Sequence, residues 1–220
     1  MYTPKYHALT DTAAMRTHIA EHPLGAWVCT AHSELMANHI PFALDVQHGG
    51  HGRLLGHVSR ANPVWRELAG GAPSVVMFMG PHAYITPSWY PTKHQHGRVV
   101  PTWNYVTVHA HGMARAIEDT EWILDVINRL TDAQESRRDK PWKVSDAPEA
   151  YIEKMLRAVV GIEITIERLE GRLKVSQDED KQDRLGTVEG LRRTSHAPAQ
   201  ILSGLVLREL TQSECGSREG

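Results

Sequence analysis

The sequence predicts a mainly β protein of the α+β class, built on an antiparallel barrel, closed or partly open, with helices added to it. Three observations lead there. About seven segments have the branched, aromatic or alternating composition of strands. Most connections between them are too short for the crossovers that parallel strands require. A barrel also removes the exposed edges that so many antiparallel strands would otherwise leave.

The elements follow in order. Asp11 or Thr12 caps a helix running to about Glu21, with Met15 and Ile19 on one face, and Pro23 stops it. Leu24–Ala31 is a mostly apolar, buried strand. His39–Val46 is the next strand. The glycine-rich turn at 47–52 returns it as Arg53–Ser59, an antiparallel hairpin. Asn62 caps a short helix with Pro63 at its first position, closed by Gly70 and Gly71. Ser74–Gly80 is a central strand, Ala83–Thr86 continues the β region, and Pro87–Val99 is a long connection. Thr102–Met113 alternates cleanly. Trp103, Tyr105, Thr107, His109 and His111 lie on one side, and Asn104, Val106, Val108 and Ala110 on the other.

In the second half, Asp119 or Thr120 caps a helix through Leu130, with Trp122, Val126 and Leu130 on one face. Ser145 or Asp146 begins another, with Pro148 near its start and Gly161 at its end. Ile162–Arg168 is an alternating strand, Glu170-Gly171 turns, and Leu173–Ser176 begins a further short stretch. From Asp178 a charged helix runs to Leu191. Ile201–Leu210 is a short terminal helix, and residues 211–220 form a frayed tail.

Composition narrows the function. The chain has 220 residues, enough to bury roughly 70% of its unfolded surface without disulfides. Its two cysteines, Cys29 and Cys215, exclude a disulfide scaffold and a four-cysteine zinc site. The start reads as no signal peptide, and the uncharged stretch Gly71–Thr92 is too rich in proline to span a membrane. These features point to a soluble cytoplasmic protein. Thirteen of the 14 histidines precede residue 112, whereas 17 of the 24 Lys/Arg and 21 of the 26 Asp/Glu follow residue 111. Neither half has the positive excess of a nucleic-acid-binding domain.

GxGxxG, phosphate-loop, HExxH, CxxC and GxSxG motifs are absent. The pairs His94–His96 and His109–His111 have metal-ligand spacing, but no carboxylate or third histidine lies close by in sequence. No metal is therefore assigned. His109 and His111 read instead as pore-facing, interface or hydrogen-bonded histidines. Four clusters of donors stand out. Asn38-His39 starts a strand. Residues 57–63 (HVSRANP) put Arg60 before a helix start, either a phosphate seat or simply the neighbourhood of the Asn62 cap. Residues 80–105 are dense in aromatics and polar donors suited to a flat heterocycle with an anionic tail, or else to core plugs and stiff turns. Lys174, Ser176 and Gln177 form the fourth.

Together with HPLGAWV, ANHIPF, GHVSRANPVWRE, PSWYPTKHQHGRVVPTWNY and DAPEAYIEKMLRAVVGIEITIERLEGRLKVSQ, these clusters resemble the PaiB-like family of FMN-binding split-barrel proteins, labelled negative transcriptional regulators. The likeness covers about residues 1–180. It implies a six-stranded antiparallel split barrel with peripheral helices over 1–180, and a helical extension with its tail over 181–220. It implies a homodimer holding FMN at the subunit interface. Asn38, His39, Ile40 and Pro41 would lie along the flavin edge. His57, Ser59, Arg60 and Asn62 would approach the phosphate and ribityl chain, and Trp103 and Asn104 the ring. Lys174, Ser176 and Gln177 would complete the site. Asp178 departs from the family's usual asparagine and cannot donate as an amide does.

The resulting expectation is an FMN-binding protein with a transcriptional regulatory role, direct DNA contact being left open. No catalytic residue is assigned. The alternatives are a flavin-dependent oxidoreductase acting on a small substrate or nicotinamide, and a cofactor-free dimeric interaction module.

Overall fold

The structure is a computed structural model that describes residues 1–31 and 34–216, with side chains through residue 212. Eight strands and six α-helices occur among the described residues. They are β1 (Ala8–Leu9), α1 (Thr12–Glu21), β2 (Leu24–Ala31), β3 (Glu34–Pro41), β4 (Ala43–Asp45), β5 (Arg53–Ser59), β6 (Ala72–Ile85), α2 (Thr92–His96), β7 (Thr102–Ile117), α3 (Thr120–Glu135), α4 (Glu149–Arg157), β8 (Val159–Lys174), α5 (Lys181–Arg192) and α6 (Ala197–Gly216). Single-turn 3-10 helices include Pro63–Leu68 and Pro87–Trp89. The sheet order is β3-β2-β6-β7-β8-β5-β4, with β1 added to β8, and all the registered pairs are antiparallel. The α+β class and antiparallel sheet agree with the sequence. Eight strands stand where six were expected for the barrel.

Two compact units divide the chain. The first comprises Asp11–Phe78 and Val108–Glu170. The second comprises the described residues of Met1–Thr10, Met79–Thr107 and Gly171–Gly220.

The first unit holds the β2–β3 and β4–β5 hairpins, with β5 running against the first half of β8 in the register Leu55↔Glu163 and His57↔Gly161. Its core includes Ile19, Trp27, Phe42, Leu54, Val76, Phe78, Ile123 and Ile162, all essentially free of solvent. Cys29 is a buried small hydrophobe there, and burial pushes its thiol pKa up. Trp27 donates its indole N–H to Ser74 Oγ at 3.0 Å, so the ring is buried without an orphaned donor. The helix starts are as the sequence indicates. Asp11, Asn62 and Asp119 each accept from a backbone N–H two or three residues on.

Several boundaries differ. His39–Val46 is not one strand. β3 begins at Glu34, and Phe42 donates its N–H to Pro23 O before β4 turns to pair with β5. The helix expected to end at Gly161 ends at Arg157, and Gly161 is a strand residue whose missing Cβ makes room for the Trp122 ring. Ala72–Ile85 is one continuous strand. β8 runs unbroken through Glu170-Gly171.

The second unit packs α5 on α6. Its core is Ile85, Tyr90, Val106, Val175, Val188, Leu191, Leu202 and Val206. The segment expected as an open connection, 87–99, carries a 3-10 turn and α2. Asp183 of α5 holds it by accepting from the Thr92 N–H (3.1 Å) and hydroxyl (2.5 Å). Gly171 pairs with Leu9 of β1, which is why the expected turn stays extended. The terminal helix is longer than the sequence suggested, reaching Gly216. The remainder of the expected tail, 217–220, lies outside the described residues. Among the described residues, no helix is long and apolar enough to cross a membrane.

Candidate functional site

The nominated residues fall into two groups, one in each unit. In the first unit, Asn38–Pro41 pair with Trp27–Leu24 across the β2–β3 hairpin. Strand periodicity divides them between two faces: Asn38 and Ile40 are half-buried, whereas His39 and Pro41 are exposed. Asn38 Oδ1 accepts from Asn62 Nδ2 at 2.7 Å, and Asn62 Oδ1 accepts from Val64 N at 3.0 Å. This chain of bonds ties β3 to the start of the Pro63–Leu68 turn. Asn38 Nδ2 is buried and has no partner. His57, on β5, likewise has a buried Nδ1 without a partner, and burial lowers its pKa, so the ring is neutral at pH 7.

Pro41 and His57 line a cavity of about 530 Å³, completed by Pro23, Leu24, and the α3 residues Ile127, Leu130, Thr131 and Gln134. The volume lies in the range of small-molecule sites. Its largely apolar wall suits a planar ring. The α3 residues were not nominated from the sequence. Only Leu130 lies on the apolar face that the helix reading recognised; Ile127 is off it, and Thr131 and Gln134 lie past the expected helix end, since α3 runs on to Glu135.

Arg60 is held by the protein through three of its five guanidinium N–H groups. Its Nε donates to Arg157 O (3.0 Å), Nη2 to Val159 O (3.2 Å) and Nη1 to Glu118 (2.6 Å), and the guanidinium lies over Trp65. A phosphate at Nη1 competes with Glu118. Both partners are substantially exposed, and such a pair is worth about 0–1 kcal/mol, so a phosphate can displace the carboxylate. Ser59 is exposed, with Oγ accepting from Ala61 N.

In the second unit, Trp103 and Asn104 point to opposite sides of β7. Trp103 is exposed and meets Tyr84 edge-on at 6.1 Å. With His82, Trp89, Leu191, Thr194 and His196 it lines a cavity of about 400 Å³. Asn104 is fully buried. Its Nδ2 donates to Ser176 Oγ at 2.9 Å, and its Oδ1 has no partner. Ser176 is buried at φ +63°, a conformation that few residues other than glycine adopt and that clusters at functional sites. Gln177 locks this turn by accepting from Val175 N (2.7 Å) and donating to Leu173 O (2.6 Å). Lys174 donates to Thr102 Oγ1. Asp178 faces His7, its Oδ1 3.5 Å from His7 Nε2.

The class of protein is given by the family comparison: a flavin-binding domain. The chain belongs to the family described as "Putative FMN-binding domain", whose model matches residues 1–168. It is 30% identical over 206 residues to Protease synthase and sporulation protein PAI 2 of Bacillus subtilis, covering 94% of this chain and 96% of that one. It is 31% identical to the uncharacterized protein AN0679 of Emericella nidulans, with the same coverage of both chains. Among solved structures it resembles an FAD and heme binding protein from Mycobacterium smegmatis, with a TM-score of 0.58 and 18% identity over 80% of this chain and 78% of that one. It also resembles the flavocytochrome Anf3 from Azotobacter vinelandii, with a TM-score of 0.51 and 16% identity over 84% and 78%. The two structural likenesses concern the fold. The family match bears out the resemblance to PaiB-like proteins and gives a flavin as the cofactor.

Proposed function

We propose that this chain is a cytoplasmic, homodimeric FMN-binding protein with a regulatory role in gene expression. The flavin reading is carried by one observation: Asn38 and His57 each keep a buried polar atom without a partner, and His57 faces an apolar cavity of fitting size. Buried polar groups are rarely left so, because an unmade hydrogen bond there costs about 1–3 kcal/mol. A ligand carrying carbonyl and imide groups on a flat ring completes them. When bound, FMN supplies electron-transfer capacity. The protein's part is to hold it, and no acid–base pair in either group assigns a catalytic step. The regulatory part rests on likeness to the sporulation protein PAI 2, and the homodimer on the family resemblance.

The test is titration of the full chain with FMN, followed by flavin fluorescence. Saturable quenching at one FMN per chain is the expected result. His57→Ala and Asn38→Ala should each raise Kd about tenfold, the equivalent of one lost hydrogen bond of about 1.4 kcal/mol. Arg60→Ala should weaken FMN more than riboflavin, since only FMN carries the phosphate. No quenching by a folded chain overturns the flavin reading. The regulatory reading is tested separately by a salt-dependent mobility shift with promoter DNA, in both flavin redox states.

A further inference from the structure

We propose that His109, His111 and Glu170 form a binding site for a divalent first-row transition-metal cation, with coordination positions left open to solvent. All three residues lie in the first unit, and the proposal is independent of flavin binding. His109 and His111 are two apart on β7, so strand periodicity aims both imidazoles to one face. Their ring centroids are 6.3 Å apart with planes inclined at 51°. Glu170 comes from β8, the neighbouring strand in the sheet, and brings the carboxylate that the sequence around the histidines lacks. One ligand atom from each residue lies within 4.8 Å of the other two.

The distances suit a metal. Two ligands each about 2.1 Å from an ion are roughly 3.0 Å apart at a right angle and roughly 3.4 Å apart at a tetrahedral one. His111 Nε2 and Glu170 Oε2 stand at 3.0 Å, already the separation of neighbouring ligands. The other separations are no more than 4.8 Å. In the metal-free protein His111 Nε2 and Glu170 Oε2 are hydrogen-bonded. Metal binding takes the Nε2 lone pair of the neutral ring, whose one proton then sits on Nδ1, so no net proton is lost.

Two neighbouring features build the site. Gly112 follows His111 directly, and a Cβ there would collide with the Thr165 carbonyl, so only glycine lets β7 approach β8 this closely. The Arg168 guanidinium pairs with Glu170 Oε1, leaving Oε2 turned to His111, as outer groups orient metal-bound carboxylates. Two imidazoles and one carboxylate are the ligand set of zinc and of non-haem iron, manganese or cobalt, and a calcium or magnesium site would offer oxygen alone. All three residues are partly exposed, so water reaches the open positions.

Isothermal titration of the chelator-treated full chain with Zn²⁺ tests the site, with Co²⁺ absorbance reporting ligand type. The expected result is one Zn²⁺ per chain. The double variant His109→Ala/His111→Ala should lose at least about a hundredfold in affinity. Glu170→Gln keeps a side chain able to hydrogen-bond His111 but removes the anionic ligand, so it should lose tenfold or more while circular dichroism stays unchanged. His94→Ala/His96→Ala should bind as the parent does. Absence of saturable binding overturns the proposal. So does binding that survives the His109/His111 change, or that Glu170→Gln leaves untouched, since either would reduce the cluster to an ordinary His–Glu hydrogen bond.

Discussion

Glu163→Ala is expected to destabilise the protein by about 3–5 kcal/mol, the usual cost of removing one member of a buried ion network. Glu163 is only 2% exposed. Its Oε1 accepts from Arg115 Nε (2.8 Å) and Nη2 (2.7 Å), and its Oε2 from Arg53 Nη1 (2.7 Å). Arg53 in turn reaches Asp45 with Nε and Nη2, both at 2.9 Å. The network therefore bridges β4, β5, β7 and β8. Without Glu163, Arg53 keeps one carboxylate where it had two, and its Nη1 is left half-buried with nothing to donate to. Urea unfolding measures the loss. Adding Arg53→Met should cost more still, since buried Asp45 then loses its guanidinium partner. A loss below about 1 kcal/mol would mean that water fills the gap, and the bridge would not be what holds these strands.

The same network sets an acid limit. Burial alone would raise the Asp45 carboxyl pKa, but the Gln47 N–H and the Arg53 guanidinium outweigh it and hold the group below its ordinary value. A depressed folded pKa stabilises the protein above the unfolded value of about 3.9, and that stabilisation is lost as pH falls through the folded pKa. Stability should therefore drop below about pH 4, and Asp45→Asn should flatten that part of the profile.

What could be read from the sequence was local. Asp11, Asn62 and Asp119 cap as expected because each cap needs only its own next three residues. The alternation of Thr102–Met113 translates directly into buried Asn104, Val106, Val108 and Ala110. What was misread depended on distant partners. Glu170-Gly171 looks like a turn until β1 arrives to pair with it. Gly161 looks like a helix stop until the Trp122 ring lies against it. The histidine pair on β7 has no carboxylate near it in sequence, and the one it meets, Glu170, is 59 residues on from His111, on the next strand. The family resemblance nominated Asn38, His57 and Asn104, and composition could not say that each would keep an unpaired buried atom. Nor could it say that Arg60 would be held by Glu118.

Gly190→Ala and Gly204→Ala should have opposite signs. In an open helix, replacing glycine with alanine stabilises by about 0.5–1 kcal/mol, because the unfolded chain loses freedom. Gly204 of α6 is exposed, and a Cβ there meets nothing within 4 Å, so this gain should appear in full. Gly190 of α5 is different, because a Cβ would run into the Trp89 indole. Gly186, one turn earlier, is closed by the Trp89 carbonyl, and Asp183, one turn earlier again, holds Thr92. One face of α5 is thus shaped for the 87–92 segment, and the Trp89 ring has no flexible end to bend away. Overpacking of this kind costs about 1–3 kcal/mol, which exceeds the propensity gain. Gly190→Ala should lower the unfolding midpoint, and Gly190→Leu should lower it further and shift the tryptophan emission as Trp89 is unseated. A stabilised Gly190→Ala protein would mean that the ring moves aside freely, and the glycine face would then be a weakness of the helix rather than a seat for Trp89.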